Sequence, residues 1–376
     1  MSRIEELLKE KCPDGVEFRR LEDCCNILDK KRKPVTKSAR EAGEYPYYGA
    51  NGVQDYVADY IFDDELVLVA EDGGHFGSAD KPIAYRVSGK CWVNNHAHVL
   101  KPKECIDVDY LCYSLMFRDV SDIVNGATRQ KLTQADMRKI EIPLLPMKNQ
   151  KAVVDKLGKV FELIALRKEQ LAKLDQLVKY RFIELFGDVK EEDKLINLCN
   201  FIDYRGKTPE KAEDGLPFIT AKNVKMHHMS FDTQEFISKE TYDRVMTRGF
   251  PRIGDVVFTT EAPLGNVCRI PHIETEFYIG QRIITMQTEQ LEPAYLEYAL
   301  SSDDFKRKIT EKSSGSTVTG IRSKLLEQLT IPVPPKVVQK QFAAFVEQTD
   351  KSKLVIQQSL DKLETLKKSL MQEYFG

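Results

Sequence analysis

The stretch IPLLPMKNQK occupies residues 142–151, and a near copy, IPVPPKVVQK, occupies residues 331–340. An offset of 189 residues aligns the two stretches without a gap. The same offset carries the dipeptide Phe-Gly at 186–187 onto the Phe-Gly at 375–376. Because this offset is just over half of the 376 residues, the sequence predicts an internal duplication.

Upstream of the repeated stretches the two halves still correspond, although more weakly and with small insertions. The matched pairs are YPYYGANG (45–52) with LPFITAKN (216–223), ELVLVAED (65–72) with DVVFTTEA (255–262), WVNNHAHVL (92–100) with YIGQRIITM (278–286), and DYLCYSL (109–115) with AYLEYAL (294–300). The chain is therefore expected to contain two divergent globular halves, each followed by a similar terminal segment.

Each terminal segment carries apolar residues at alternating steps of four and three, the pattern of a helix that packs along a heptad seam. The predicted seam residues are Val153, Leu157, Ile164, Leu171 and Leu174 in the first segment and Phe342, Val346, Ile356, Leu360 and Leu363 in the second. Each helix would have about 39 residues and a length of roughly 58 Å at 1.5 Å per residue. A half-polar helix this long must bury its seam, so we expect the two helices to pair antiparallel.

The expected fold class is α+β, with two divergent α+β domains separated by two long antiparallel coiled-coil helices in a pseudo-two-fold internal repeat. Short β-branched runs such as ELVLVA and DVVFTT alternate with turn-rich stretches in both halves. The predicted boundaries are residues 1–145 and 188–334 for the globular domains, and residues 146–187 and 335–376 for the long helices.

Composition excludes several classes of protein. Hydrophobic residues make up 42% and charged residues 30% of the chain, and the formal net charge is −2. A uniformly basic nucleic-acid coat is thus excluded, although local basic patches are not. The chain contains no apolar run of about 18 residues, so no membrane span is predicted. The eight cysteines form no CxxC pair, which favours reduced thiols in a cytoplasmic protein.

Basic and amide residues recur at comparable places in both halves, in KKRKPVTKSAR (30–40), GATRQK (126–131), YRGKTPEK (204–211), AKNVKMHH (221–228) and GSTVTGIRSK (315–324). Arg and Lys bind phosphates or guanine, and Asn pairs with adenine. The predicted DNA-binding residues are Lys31, Arg32, Lys33, Lys37, Asn94, His96, Arg129 and Lys131 in the first half and Arg205, Lys207, Lys222, Asn223, Arg282, Arg322 and Lys324 in the second. Taken singly, each cluster is equally compatible with a solvated face.

Patterns that suggest other chemistry are incomplete. The GKT at 206–208 lacks the glycine that a phosphate-binding P-loop needs five positions before Gly206, where Phe201 stands. His96 and His98 have a spacing found in metal sites, but the sequence comparison places Gln281 and Ile283 opposite them. We therefore expect no metal site shared by both halves, and no catalytic residue on the chain.

The chain resembles the DNA-specificity (S) subunit of Type I restriction–modification systems over essentially its full length. The residues that carry the resemblance are PDGVEFRRL (13–21), YPYYGANG, the two Ile-Pro stretches with their following glutamines, RFIELFG (181–187), YRGKTP (204–209), GQRI (280–283) and the terminal EYFG. Their order is more specific than any one of them.

The resemblance implies that each globular half is a target-recognition domain for one half of a bipartite, asymmetric double-stranded DNA sequence. It implies that the helical pair sets the spacer and docks two methyltransferase (M) subunits, with restriction (R) subunits in the full complex. No cofactor is expected on this chain, and S-adenosylmethionine, ATP and Mg are expected on the partner subunits. A coiled-coil scaffold without DNA specificity is the main alternative, and an enzyme with duplicated catalytic domains is a third.

Overall fold

The computed structural model describes residues 16–78, 81–126, 130–206, 208–313 and 320–376. Contacts divide the chain into two compact units, Met1–Lys168 with Gln358–Gly376, and Glu169–Gln357. Each unit thus combines one globular head with parts of both repeated terminal segments, whereas the predicted boundaries give every segment a domain of its own. We call residues 16–145 the first head and residues 188–334 the second head.

The first head is a mixed α+β structure. Its helices are α1 (Leu21–Cys24), α2 (Val108–Met116) and α3 (Gln134–Arg138). Its strands are β1 (Glu17–Arg20), β2 (Cys25–Ile27), β3 (Ala42–Gly49), β4 (Gly52–Val57), β5 (Phe62–Ala70), β6 (Ala84–Val93), β7 (Ala97–Pro102) and β8 (Glu141–Leu144). Two 3₁₀ turns lie at Asp29–Lys31 and Lys37–Ala39. Within the described residues, six strands form one sheet in the order β2-β7-β5-β6-β3-β4.

Strand β5 lies at the centre of this sheet because its sequence is apolar on both faces. Residues 66–70 are fully buried, and β5 pairs antiparallel with β6 on one side and β7 on the other. A continuous run of apolar residues is typical of a strand covered on both faces. The end of β5 and the start of β7 therefore meet at one edge of the sheet.

The second head repeats this plan with shorter strands. Its helices are α5 (Leu195–Leu198), α6 (Lys239–Val245), α7 (Pro293–Ser301), α8 (Asp303–Lys312) and α9 (Ser323–Leu326), and its strands are β9 (Glu192–Lys194), β10 (Asn200–Asp203), β11 (Leu216–Ile219), β12 (Val224–Lys225), β13 (His228–Met229), β14 (Phe236–Ile237), β15 (Val256–Thr259), β16 (Val267–Arg269), β17 (Tyr278–Ile279), β18 (Ile283–Gln287) and β19 (Thr330–Pro332). Strand β15 lies between β18 and β16, and β11 pairs parallel with β17 as β3 does with β6.

The repeated Ile-Pro stretch forms the last strand of each head. In the first head Ile142 lies opposite Arg19 in the β1–β8 pair. In the second head Ile331 lies opposite Asp193 in the β9–β19 pair. The long helices α4 (Met147–Phe186) and α10 (Lys336–Phe375) begin a few residues later, each directly after a proline, which fits the start of a helix because its missing N–H is not needed there.

A buried glutamine on α4 joins this helix to the first head. Gln150 is fully buried, and its Oε1 accepts a hydrogen bond of 2.8 Å from the backbone N–H of Asp107, the N-cap residue of α2. Its Nε2 donates to the carbonyl oxygens of Cys105 and Leu145 at 3.0 and 2.8 Å. One side chain therefore ties together the start of α4, the end of β8 and the start of α2.

The repeat places an equivalent glutamine on α10. Gln339 is 1% exposed, and its Oε1 accepts a hydrogen bond of 2.9 Å from the N–H of Glu292, the N-cap residue of α7. Its Nε2 donates to the carbonyl oxygen of Pro334 at 2.8 Å. We call these two arrangements the glutamine junctions.

The ends of the long helices close the two units with the same aromatic contact. In the second unit Phe186, the last residue of α4, packs edge-on against Tyr295 of α7 with ring centroids 4.7 Å apart. In the first unit Phe375, the last residue of α10, packs against Tyr110 of α2 at 5.2 Å. The repeated Phe-Gly dipeptide is thus the point where each long helix ends against a tyrosine of a head.

Within each unit the segments of α4 and α10 run antiparallel. In the first unit Lys156 donates to the Tyr374 hydroxyl at 3.0 Å, and Lys168 pairs with Glu364 at 3.0 Å. In the second unit the carboxylate of Asp175 lies 2.5 Å from the ammonium of Lys353, and the ring centroids of Phe182 and Phe342 lie 5.5 Å apart. Residue numbers rise on one helix as they fall on the other, as expected for the antiparallel arrangement.

The predicted seam residues differ in burial along the helices. Val153, Leu157, Ile164, Phe342, Val346 and Leu360 are buried, whereas Leu171, Leu174, Ile356 and Leu363 are half-buried. No helix in the described ranges has the length and apolar character needed to cross a bilayer. Every cysteine in those ranges is a free thiol.

Replacing the junction glutamines should destabilise the fold. Gln150→Ala or Gln339→Ala leaves buried backbone N–H and C=O groups without a partner, at a cost of about 1–3 kcal/mol for each unsatisfied group. We expect the free energy of unfolding in urea to fall by at least that amount for either variant. Gln358→Ala, an exposed glutamine change on α10, is the matched control, and equal stability of all three variants would contradict the junction role.

Candidate nucleic-acid interface

Equivalent backbone hydrogen bonds fix which residues of the two heads correspond. The N–H of Glu71, just after β5, donates to the carbonyl oxygen of His96 at 2.9 Å. The N–H of Thr260, just after β15, donates to the carbonyl oxygen of Arg282 at 2.9 Å. His96 and Arg282 therefore occupy the same position in the two heads.

A third segment joins this arrangement in the same way in both heads. The N–H of Leu132 donates to the carbonyl oxygen of Glu71 at 2.8 Å, and the N–H of Ile321 donates to that of Thr260 at 3.0 Å. Leu132 and Ile321 follow the two Gly-Thr segments of the repeat. Three chain segments thus meet at the same edge of each head.

The sequence comparison of the two histidines is wrong by one position. Strand pairing places His98 opposite Val69, and it places Ile284 opposite Phe258. The corrected pairs are His96 with Arg282 and His98 with Ile284, in place of Gln281 and Ile283. The stretches WVNNHAHVL and YIGQRIITM give the same corrected pairs when Trp92 is aligned with Tyr278, so the sequence already contained the correct register.

Each head carries an acid–base pair at this shared position. In the first head Nδ1 of His96 lies 2.7 Å from Oδ1 of Asp72. In the second head Nε of Arg282 lies 2.9 Å from Oε1 of Glu261. The acidic residue follows the central strand in both cases, so the same scaffold holds a different pair of side chains in each head.

The acid–base pair of the first head borders a cavity of about 570 Å³. Its lining includes Arg40, Tyr47, Asn51, Gln54, Asp72, Asn94, Asn95 and His96. The guanidinium of Arg40 lies 4.1 Å from the centre of the buried Tyr47 ring. Amide side chains offer both a donor and an acceptor, which is the pattern that adenine presents in the major groove.

The corresponding cavity of the second head has a volume of about 280 Å³ and a different chemistry. Among the described residues its lining includes Arg205, Thr260, Glu261, Gln281, Arg282, Gly320, Ile321 and Arg322. Three arginines face one glutamate here, whereas amides dominate the first cavity. A cationic cavity of this kind is suited to phosphates or to the acceptor atoms of guanine.

A buried charge network lies behind the first cavity. Nδ1 of His98 lies 2.6 Å from Oδ2 of Asp29, and the guanidinium of Arg32 binds Glu71 at 2.5 Å. Lys131 reaches the other oxygen of Glu71 at 2.8 Å. This network ties the basic segment after β2 to the ends of β5 and β7.

The carboxylates of this network are held in their charged forms. Burial by itself would raise the pKa of Asp29, but hydrogen bonding and charge from His98, with donors from Val99 and Gln134, hold that pKa below its ordinary value. Burial likewise opposes ionisation of Glu71, yet Lys131 and Arg32 hold its pKa below the usual range.

Asp29, Glu71 and His98 place three ligand-type atoms within 4.8 Å of one another, which a metal ion could use. Both ring nitrogens of His98 are already engaged, because Nε2 lies 2.9 Å from the carbonyl oxygen of Leu132 and a carbonyl oxygen only accepts. Arg32 also balances the acidic charge. These contacts favour an internal ion-pair network over a metal site.

The structure distributes the predicted DNA-binding residues over three environments. Lys31, Lys33, Lys37, Lys131, Lys222, Arg282, Arg322 and Lys324 are exposed, Arg32, His96 and Arg205 are half-buried, and Asn94 and Asn223 are buried. Arg129 and Lys207 lie outside the described residues. His96 and Asn94 meet at the first cavity, and Arg205, Arg282 and Arg322 meet at the second.

Two of the predicted residues are used by the fold. The side chain of Arg32 is 13% exposed and also donates to the carbonyl oxygen of Ala97 at 2.8 Å. The amide of Asn223 donates to the carbonyl oxygens of Ser230 and Thr233 at 3.0 and 2.7 Å. Composition alone did not distinguish these internal roles from surface roles, since their partners are distant in sequence or belong to a local turn.

The sequence analysis missed Asp72 and Glu261, the acidic members of the two pairs. A partial signal was present, because ELVLVAED and DVVFTTEA both carry an acid directly after a matching strand, although residue-by-residue alignment places Glu261 opposite Glu71, one position before Asp72. Arg40, Asn51 and Gln54 were missed as well, because their approach to the cavity depends on the β3–β4 hairpin.

Comparison with known proteins is consistent with this geometry. The family model for the Type I restriction modification DNA specificity domain matches residues 13–176 and again residues 190–365. The chain therefore belongs to this family and contains two copies of its domain. Its role is recognition of a DNA target, and the alternative of a scaffold without DNA specificity is not supported.

Individual relatives match over almost the whole chain. A Haemophilus influenzae protein provisionally named as a type I restriction enzyme specificity subunit is 27% identical, over 96% of this chain and 91% of its own length. The MjaVIII specificity subunit of Methanocaldococcus jannaschii is 22% identical, over 96% and 92%. The S subunit of a type I system from M. genitalium shares the fold with a TM-score of 0.62 at 16% identity, over 96% of both chains.

Breaking the buried network should alter the acid stability of the protein. The pKa of Asp29 is lower in the folded state than its ordinary value. The stability that the charged carboxylate contributes is therefore fully present above the unfolded-state pKa and is lost as pH falls through the folded-state pKa. We expect Asp29→Asn to lower the free energy of unfolding at pH 7 by about 1–3 kcal/mol. The variant should also lose less stability than the wild type between about pH 5 and pH 3.

Urea unfolding at several pH values measures both effects. Asp63→Asn, at an exposed position of β5, is the matched control. It should leave the dependence of the free energy of unfolding on pH unchanged. A parallel shift of the Asp29→Asn curve at every pH would contradict the linkage.

Proposed function

We propose that this chain is the sequence-reading subunit of a type I restriction–modification complex, with each head reading one half of a bipartite DNA target. The observation that carries the proposal is the pair of equivalent cavities. The same backbone arrangement holds His96 with Asp72 in one head and Arg282 with Glu261 in the other. A protein that reads two different half-sites needs equal scaffolds with unequal side chains.

The proposal extends to the partners of the chain. Two methyltransferase subunits would dock on the repeated helices, and restriction subunits would join the full complex. Exposed apolar residues recur at equivalent positions, since Leu166 and Val355 are 46% and 66% exposed, and Leu177 and Leu366 are 49% and 44% exposed. Solvent-exposed apolar residues on a repeated surface are suited to two copies of one partner.

Chemistry is assigned to those partners. S-adenosylmethionine, ATP and Mg would bind to the methyltransferase and restriction subunits, and this chain would present the DNA so that an adenine can leave the stack. The two long helices would set the spacing between the half-sites, because each runs unbroken for 40 residues. This division of labour leaves the heads free to diverge while the junctions stay alike.

Exchanging one head tests the proposal. Residues 190–330 would be replaced by the matching segment of a relative, and the chain would be expressed with its methyltransferase partner. Methylome sequencing should show one changed half-site and one unchanged half-site. The unaltered chain is the control, and a change in both half-sites would overturn the assignment of one half-site to each head.

Docking on the helices can be tested with a matched pair of substitutions. Leu177→Asp and Leu366→Asp place a charge at equivalent exposed positions, and each should remove one of the two methyltransferase subunits. Mass measurement of the purified complex reads the stoichiometry directly. Gln358→Asp, a charge change at another exposed site of α10, should keep both subunits, and retention of both subunits by the two leucine variants would argue against this surface.

A further inference from the structure

We propose that Arg282, held from behind by Glu261, reads a guanine in the half-site recognised by the second head. This inference rests on the proposed function and specifies the base that one side chain contacts. It goes beyond a general attraction between basic residues and DNA, because it assigns one arginine to one kind of base pair.

The geometry of the pair leaves the recognition edge of the arginine free. Glu261 pairs with Arg282 through Nε at 2.9 Å, and within the described residues the two terminal nitrogens of the guanidinium form no hydrogen bond. The Arg282 side chain is 54% exposed. Guanine presents two acceptors, N7 and O6, side by side in the major groove, and the fork of an arginine matches both of them.

Backbone hydrogen bonds fix the position from which the Arg282 side chain projects. Its carbonyl oxygen accepts from the N–H of Thr260 at 2.9 Å and from the Thr260 hydroxyl at 3.2 Å. The N–H of Ile321 binds Thr260 in turn at 3.0 Å. A side chain that is held before the DNA arrives loses less entropy on binding, which favours a base-specific contact.

Glu261 also distinguishes a base contact from a phosphate contact. A carboxylate beside the guanidinium would repel a phosphate, whereas it can accept a hydrogen bond from the N4 amino group of cytosine. The pair therefore offers donors to guanine and an acceptor to cytosine. Adenine is disfavoured, because its N6 amino group would face the arginine donors.

The other two arginines of the cavity reinforce the preference for acceptor atoms. Nε and Nη2 of Arg205 are shielded from solvent and form no hydrogen bond within the described residues, although Nε lies 3.6 Å from a carboxylate oxygen of Asp203. Arg322 is exposed at the rim of the same cavity. A ligand rich in donors would find no partners among these groups, whereas guanine would.

The first head provides an internal contrast. His96 and Asp72 occupy the equivalent positions there, and four amide side chains and a single arginine, Arg40, line the cavity around them. The same scaffold is therefore equipped for a different base in the first half-site. This contrast predicts that guanine preference belongs to the second head alone at this position.

The test uses the full chain with its methyltransferase partner and a library of duplexes that varies every base of the two half-sites. We expect Arg282→Gln to lose preference at one G·C pair of the second half-site by about ten-fold to a hundred-fold, with the other positions unchanged. Arg282→Lys, which keeps the charge, should lose the same preference. Arg244→Gln, an exposed arginine outside the cavity, is the matched control and should keep it.

A chemical probe makes the test independent of folding defects. Replacing the assigned guanine with 7-deazaguanine removes the N7 acceptor, which should weaken binding by the wild type and have little further effect on Arg282→Gln. Uniform weakening across all bases would identify a phosphate contact and overturn the inference, as would an unchanged preference. If the wild-type complex showed no preference at either half-site, the proposed function itself would fail.

Discussion

The glutamine junctions are the constraint on which the rest of the structure depends. Gln150 and Gln339 are buried side chains with full hydrogen-bonding requirements, and each satisfies them by joining a long helix to the first turn of a head helix. A buried amide is costly unless its partners are in place. The start of each long helix is therefore set relative to its own head, and the repeated Ile-Pro stretch exists to deliver the chain to this point.

The aromatic contacts complete what the junctions begin. Phe186 and Phe375 end the two long helices against Tyr295 and Tyr110, and both tyrosine hydroxyls donate to the carbonyl oxygen of a repeated proline. The end of one long helix and the start of the other thus contact the same helix of a head, α2 in the first head and α7 in the second. This explains why the Phe-Gly dipeptide is repeated along with the Ile-Pro stretch.

Recognition is built on a scaffold that the two heads share. Backbone hydrogen bonds bring three segments together at one edge of each sheet, and they place His96 and Arg282 at the same position. The side chains that face the cavities differ, with mostly amides in one head and mostly arginines in the other. With a fixed backbone and variable side chains, the DNA half-site that a head recognises can change while the glutamine junctions stay the same.

The sequence by itself determined the duplication, the mixed α+β class, the long helices and the family, because these depend on periodicity and on motifs that are local in the chain. Only the tertiary structure decided which polar residues are used inside the heads and which line the two cavities. Arg32 looked like a DNA contact but is used inside the first head, and Glu261 looked irrelevant but holds Arg282. Such roles depend on partners that are distant in sequence, and they become visible only when the strands bring those partners together.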